Sequence, residues 1–420
     1  MADATQRPDG ASSTPPPVAR ALWLLLACGC LISLLSFGVR STFGLFTDPL
    51  SSARGWGRES FAFAIALQNL FWGLGQPLAG VIADRFGAMR VIVVGGLLYA
   101  GGLALMASAT SPAGLTWSAG LMVGIGMAGA SHNTVLAAFG RMVPAHRRSW
   151  ALGLGTAAGS LGQFLVVPAG QAFIVAYGWD TAALLLAAAM ALVPCLALAF
   201  RGDGAVAEPA TAAAALPRTS TLAALREAFG HRSYLLLLAG FFVCGFQLAF
   251  VTVHLPPYLV DRGLGGSVAS WSIAMVGLFN IAGAYLSGVL GGRYSKKWLL
   301  SAIYASRALA IAWLLLAPAT PANVLLFGAV MGAMWLSTVP LTSGLVAVMF
   351  GTRHMATLFG FVFFSHQVGS FLGVWLGGAA YAATGSYDLV WWLAAALSVF
   401  AALVHLPIQE RAARLAPNPA

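Results

Sequence analysis

Charge is what this sequence has least of. Asp, Glu, Lys and Arg together make up 8% of its 420 residues, about a third of their share in ordinary soluble domains. A soluble chain of this length, folded as two or three domains, needs a polar skin, whereas 59% of the residues here are apolar. The solvent for most of the chain is therefore lipid, which excludes a soluble enzyme. Cysteine is scarce too. Cys28, Cys30, Cys195 and Cys244 all lie in apolar stretches without zinc-site spacing, so neither a disulfide framework nor a metal centre is expected. No phosphate-binding loop, nucleophile elbow, zinc-protease helix or haem-attachment site is present, and no cofactor is implied. The net charge of +10 does not indicate nucleic acid, because the basic residues form short groups between apolar runs instead of one basic face.

What remains is long apolar sequence. Twelve stretches reach the roughly 20 residues needed to cross about 30 Å of hydrocarbon: 21–46, 60–83, 88–110, 113–138, 148–176, 180–200, 233–259, 266–291, 297–317, 321–349, 355–383 and 387–406. The Lys/Arg asymmetry orients them. With the N-terminus cytosolic, seventeen of the 22 basic residues fall on the cytosolic side and only Arg54, Arg58 and Arg262 on the other. Both termini are thus expected in the cytosol of a bacterial inner-membrane protein. The Pro/Ser/Thr-rich start lacks a cleavable signal peptide and reads as a disordered tail. The expected organisation is a tail over 1–20, a six-helix bundle over 21–200, a linker over 201–232, a second bundle over 233–406 and a tail over 407–420. Within the linker, Leu222, Leu225 and Phe229 repeat at helical spacing and predict a short amphipathic surface helix.

The two halves repeat. Gly80 and Gly288 open similar segments after the second and eighth stretches, and Asp180 and Asp388 precede the sixth and twelfth; each pair is 208 residues apart. Duplicated units are how many secondary transporters build two packings around one central site. Gly80, Asp84, Arg85, Gly87 and Arg90, falling between the second and third of twelve spans, resemble the signature of the major facilitator superfamily. The second half keeps Gly288 and Arg293 but has Gly292 in place of the Asp. The resemblance implies an all-α fold of twelve spans in two pseudo-symmetric six-helix bundles. It also implies that Gly80, Asp84, Arg85, Gly87, Arg90 and Arg293 help latch the halves on the cytosolic side. Asp84 is expected at the N-terminus of the third helix, where the helix dipole favours a carboxylate.

Arg40 in Gly38-Val-Arg40-Ser-Thr-Phe43, the Gly55-Trp56-Gly57-Arg58 loop, Gly124 to Asn133 and Tyr177-Gly178-Trp179 resemble the monocarboxylate transporter and oxalate/formate antiporter branch. In that branch a basic residue of helix 1 meets the carboxylate, and its match here is Arg40. Better-known members carry an Asp and an Arg one turn apart in helix 8, where this sequence has Asn280 and Ala284.

All twelve acidic residues fall in tails, loops or span ends, so an arginine inside a span lacks a carboxylate partner. Arg40 and Arg307 are such arginines. A buried arginine faces a cavity or a partner, and an anionic substrate would complete the site at Arg40; snorkelling to the outer interface is the alternative. For Arg307, in the peripheral ninth span, snorkelling or a structural hydrogen-bond network is expected. Polar groups placed to orient a ligand are Asn133, Gln247, His254, Asn280, Thr338 and Thr342, while His132, His254 and His366 are the candidates for proton coupling. Together these predict secondary transport of a small organic anion, resembling a monocarboxylate, by a functional monomer in the bilayer, coupled to protons or to anion exchange. The alternatives are a carrier or exporter of neutral or aromatic metabolites or drugs, using the 13 Trp and 25 Phe as a cavity lining, and a non-transporting membrane sensor or enzyme.

Overall fold

A computed structural model describes residues 17–202, 221–351 and 354–412, with helices and no strands among them. The expected N-terminal tail up to residue 16, linker residues 203–220 and the last eight residues lie outside that description.

Twelve spans follow in order. Span 1 is the helix Pro17–Ser41, continued through the 3-10 turn Phe43–Phe46 and the helix Thr47–Arg54. Spans 2 and 3 are Arg58–Phe86 and Ala88–Ala107; span 4 runs from Pro112 to Met142 in pieces. Span 5 is Ala145–Tyr177, and span 6 is Trp179–Met190 followed by short turns to Phe200. The helix Thr221–Gly230 leads into span 7, Arg232–Asp261, and span 8, Gly266–Arg293. Span 9 is Lys296–Leu316, span 10 is Pro321–Ala333 plus Thr338–Phe350, span 11 is Met355–Thr384 and span 12 is Asp388–His405. Eleven of the spans are long and apolar enough to cross a bilayer by composition. Span 2 is long enough but carries Gln68, Asn69 and Gln76 in its interior.

Each half has its own apolar core, one centred on residues such as Ile32, Tyr99 and Phe139, the other on Phe250, Tyr304 and Trp391. The halves meet where span 2 packs on span 11 and span 5 on span 8. Small residues permit these approaches. A Cβ on Gly277 would sit 2.8 Å from the Ser160 carbonyl, and one on Gly73 would sit 2.6 Å from Gln367.

Spans 4 and 10 are interrupted at repeat-related places. Span 4 breaks between Gly129 and His132, with the Ser131 hydroxyl accepting from Thr134 N–H at 3.3 Å as an N-cap. Span 10 breaks over 334–337, within a helical turn of the position the 208-residue offset gives. Non-helical backbone at membrane depth survives only where protein or a water-lined cavity satisfies it.

The span 2–span 3 boundary corrects one expectation. Span 2 continues to Phe86, and Gly87, at φ +86°, makes the turn. Asp84 therefore belongs to the last turn of span 2 and not to the start of span 3; its side chain lies outside the described residues.

Candidate functional site

Arg40, at the end of the first helix of span 1, does not snorkel. It lies half-buried against span 2, where its Nη2 donates to Asn69 Oδ1 at 3.3 Å. Its guanidinium carbon stands 4.8 Å from the centroid of Trp72 and 6.0 Å from that of Phe37. Aromatic faces attract such a cation without consuming its N–H donors. One neutral, long hydrogen bond leaves most of the five donors free, and buried Nε has no partner.

The interrupted span 4 completes this neighbourhood. Trp72 Nε1 donates to Gln76 Oε1 at 2.9 Å, and the Ser131 hydroxyl donates to the same oxygen at 3.2 Å. His132, the first residue after the break, sets its ring 6.3 Å from Phe37, with Nδ1 unpartnered. Arg40, Trp72, Gln76, Ser131 and His132 thus gather around the start of the helix His132–Met142, whose free N–H groups favour negative charge. Asn133 is half-exposed on the same turn.

Span 11 closes the far wall. The Phe363 ring lies 5.4 Å from Trp72 and stacks on His366 at 5.9 Å. His366 Nδ1 pairs with Gln367 Oε1 at 2.9 Å, and Gln367 Nε2 donates across the halves to the Asn69 carbonyl at 3.1 Å.

Other sequence candidates lie elsewhere, and all but Thr342 are bound up in protein contacts. Gln247 is wholly buried and donates to the Ala394 carbonyl at 2.9 Å and to Ser398, facing span 12. His254 is wholly buried; its Nε2 meets the Val374 carbonyl at 2.8 Å, between the rings of Phe250 and Tyr387. Thr338 contacts Cys244 Sγ at 3.3 Å, and Thr342 is buried with its hydroxyl unpartnered. Asn280 bridges spans 5 and 10. Arg307 is completely buried, with Nη2 on the Trp335 carbonyl at 2.7 Å and on that of Met334 at 2.5 Å. Its Nη1 reaches Gln247 Oε1 and Cys244 Sγ, both at 3.4 Å, so the side chain ends in a hydrogen-bond network and does not snorkel.

At the face opposite the termini the halves are tied by ions. Arg58 meets Asp48 of its own half at 2.6 Å and grips Asp261 of the other through bonds of 2.6 and 2.8 Å. The Tyr381 ring lies 4.2 Å from the guanidinium. In the sequence these charges lie in loops or at span ends, and nothing there pairs residues 203 positions apart. Toward the terminus-bearing face, Leu78, Val81, Ile82, Tyr285 and Leu286 of spans 2 and 8 are exposed. There Arg85 lies on Phe86 at 5.2 Å and Arg90 donates to the Phe86 carbonyl at 3.1 Å, both contacts within their own loop. Gly80 has open space around it, and Arg293 is exposed at the end of span 8. A groove of about 610 Å³, lined by Glu59, Phe63, Thr116 and Trp375, opens near the Arg58 end of the span 2–span 11 seam and does not include Arg40.

Comparison with known proteins agrees with this architecture. Human monocarboxylate transporter 11 is 30% identical over 293 residues, which are 68% of this chain and 58% of that protein, so the chain spans less than two thirds of its length. Rat monocarboxylate transporter 13 is 26% identical over 94% of this chain and 91% of its own. The crystal structure of a D-xylose-proton symporter superposes with a TM-score of 0.73 at 15% identity, covering 93% of this chain and 98% of the other. The family model described as Major Facilitator Superfamily matches residues 29–322 and 263–419. The chain is a multi-pass membrane protein and belongs to the major facilitator superfamily, a family of transporters.

Proposed function

We propose that this protein is a secondary transporter of a small organic monoanion, working by alternating access in a bacterial inner membrane with both termini in the cytosol. The observation that carries the reading is Arg40. It is a half-buried guanidinium held between aromatic rings and, among the described residues, bonded to a neutral amide alone. A carboxylate entering beside it gains charge-assisted hydrogen bonds together with the amides at the start of the His132–Met142 helix. The likeness to monocarboxylate transporters 11 and 13 supports the same chemistry. Among the described residues no second Arg or Lys joins the cluster, which favours one carboxylate over two.

The Arg58–Asp261 closure and the exposed far ends of spans 2 and 8 fit a conformation open to the cytosol. Rocking the halves about the span 2–span 11 and span 5–span 8 seams would open the other side. Coupling is to protons through His132 or His366, which flank the cluster, or to exchange with a second anion.

The test is uptake into proteoliposomes of a panel of monocarboxylates, dicarboxylates and neutral solutes, at two pH values. Saturable monocarboxylate uptake that Arg40→Ala abolishes and Arg40→Lys partly retains is expected. Undiminished transport by Arg40→Ala, or movement of neutral solutes alone, overturns the reading.

A further inference from the structure

The break in span 10 is satisfied with unusual completeness. The Met334 and Trp335 carbonyls accept from Arg307, the Leu336 N–H donates to Asn280 Oδ1 at 2.9 Å, and the Ser337 carbonyl accepts from Ser287. One backbone group from each of four consecutive residues thus ends on a side chain of span 8 or 9. Two of those three side chains, Arg307 and Ser287, stay within the second half. Asn280 does not, because its Nδ2 donates at 2.8 Å to the Ser160 hydroxyl of span 5, in the first half.

We infer that Asn280 is a positioning residue that keys the break in span 10 to the contact between the halves. Asn280 is completely buried, so each end of its amide depends on a protein partner. Ser160 in turn donates to the Thr156 carbonyl at 3.3 Å, which leaves its oxygen to accept from Asn280. Around this bond the two spans touch closely. Gln163 Nε2 donates to the Ile273 carbonyl at 3.2 Å, and Gly277 lies beneath the Ser160 carbonyl.

Sliding span 5 along span 8 removes Ser160 from Asn280. The stranded amide must rotate to find another acceptor, which pulls Oδ1 off Leu336 N–H and leaves that group unsatisfied in the break. The piece Thr338–Phe350 can then reset against Pro321–Ala333. The Thr342 hydroxyl on that piece, buried without a partner, has no bond to break when it does. In this way a displacement between halves becomes a change of shape in span 10, which no contact within the second half alone would produce.

The experiment needs no substrate and is independent of the Arg40 reading. Spin labels at Ser52→Cys and Ser267→Cys, both exposed on the Arg58 face, report the separation of the halves, with Cys28, Cys30 and Cys195 replaced by Ala. Hydrogen exchange over residues 334–338 reports the break. Ser160→Ala and Asn280→Ala are each expected to shift the population with that face open by roughly three- to tenfold, the weight of one buried hydrogen bond. The double variant should go no further than Asn280→Ala, and Ser160→Ala should speed exchange at Leu336 although it lies in the other half. Unchanged distances in Ser160→Ala, additive shifts, or unaltered exchange at Leu336 overturn the inference. Ser160→Ala carries the test alone where Asn280→Ala does not fold.

Discussion

Arg58, the first residue of span 2, holds Asp261, the last residue of span 7, through two hydrogen bonds of 2.6 and 2.8 Å from its separate Nη atoms. This bidentate geometry joins the halves. Asp48 approaches the same guanidinium from the first half, so the cation remains paired when the halves separate. Asp261→Asn therefore weakens one conformation without stranding a buried charge. We expect the population open at this face to rise roughly five- to thirtyfold, equivalent to about 1–2 kcal/mol for a partly exposed pair. The distance between labels at Ser52 and Ser267 checks it; an unchanged distribution removes Asp261 from the closure.

Trp72 supports Arg40 at 4.8 Å and fixes Gln76 through its indole N–H. Trp72→Phe keeps the ring face and loses the hydrogen bond, whereas Trp72→Leu loses both. A cation–π contact is worth about 0.5–2 kcal/mol, so Trp72→Leu is expected to raise the KM for the anion by roughly three- to twentyfold. Trp72→Phe should fall between it and wild type. Equal KM values for all three separate Trp72 from the site.

For Arg307 the expected phenotype is loss of stability. Its Nη2 serves the Met334 and Trp335 carbonyls together while Nη1 reaches Gln247 and Cys244, and a single lysine ammonium cannot span both sets. Each carbonyl left without a donor costs about 1–3 kcal/mol. Thermal unfolding in detergent should show Arg307→Lys below wild type and Arg307→Met lower still. A lysine variant as stable as wild type means the carbonyls find other donors.

Much of this fold is written in the sequence because lipid enforces it. A span must be apolar for about 20 residues, so its limits show as runs, and duplication shows as a constant offset. Arg40 is legible for the same reason, as a charge inside such a run. What is not legible is where polar groups spend their hydrogen bonds. Gln247, Asn280 and Thr338 look like ligand contacts in one dimension, yet all three are completely buried and bonded to protein. Arg58 and Asp261 look like ordinary loop charges because their partnership exists only once the halves meet. Gly87 likewise delays the end of span 2 beyond Asp84, an effect of backbone conformation that a charge pattern does not carry.

Glu410, beyond span 12, brings a carboxylate to the start of span 9. Its Oε1 accepts from Ser295 Oγ at 2.6 Å and from Lys297 N–H at 2.7 Å, capping span 9. Burial opposes its ionisation, but those bonds and nearby Lys296 outweigh it and hold its carboxyl below the usual range. With a depressed folded-state value, its stabilisation is present above the unfolded pKa and is lost as pH falls through the folded one. Glu410→Gln should lower stability by about 0.5–2 kcal/mol, as for a lost cap. The gap from wild type should close as the medium is acidified below the ordinary glutamate range; a gap constant with pH assigns the effect to packing.

Glycines offer the sharpest contrast between packing and transport. A Cβ on Gly162 would collide with the Leu34 carbonyl, where spans 1 and 5 touch, whereas one on Gly80 would meet nothing within 4 Å. Gly162→Ala must push two helices apart, an overpacking cost of about 1–3 kcal/mol. Gly80→Ala costs the fold nothing in this conformation. If the Gly80–Arg90 segment latches the halves when the terminus-bearing face closes, the added methyl obstructs only that second conformation. Gly80→Ala is therefore expected to unfold at the wild-type temperature while its transport rate falls severalfold, and Gly162→Ala to lose stability first. Melting curves and initial uptake rates on the same preparations decide it. Normal transport by Gly80→Ala means that face closes without a tight fit at residue 80.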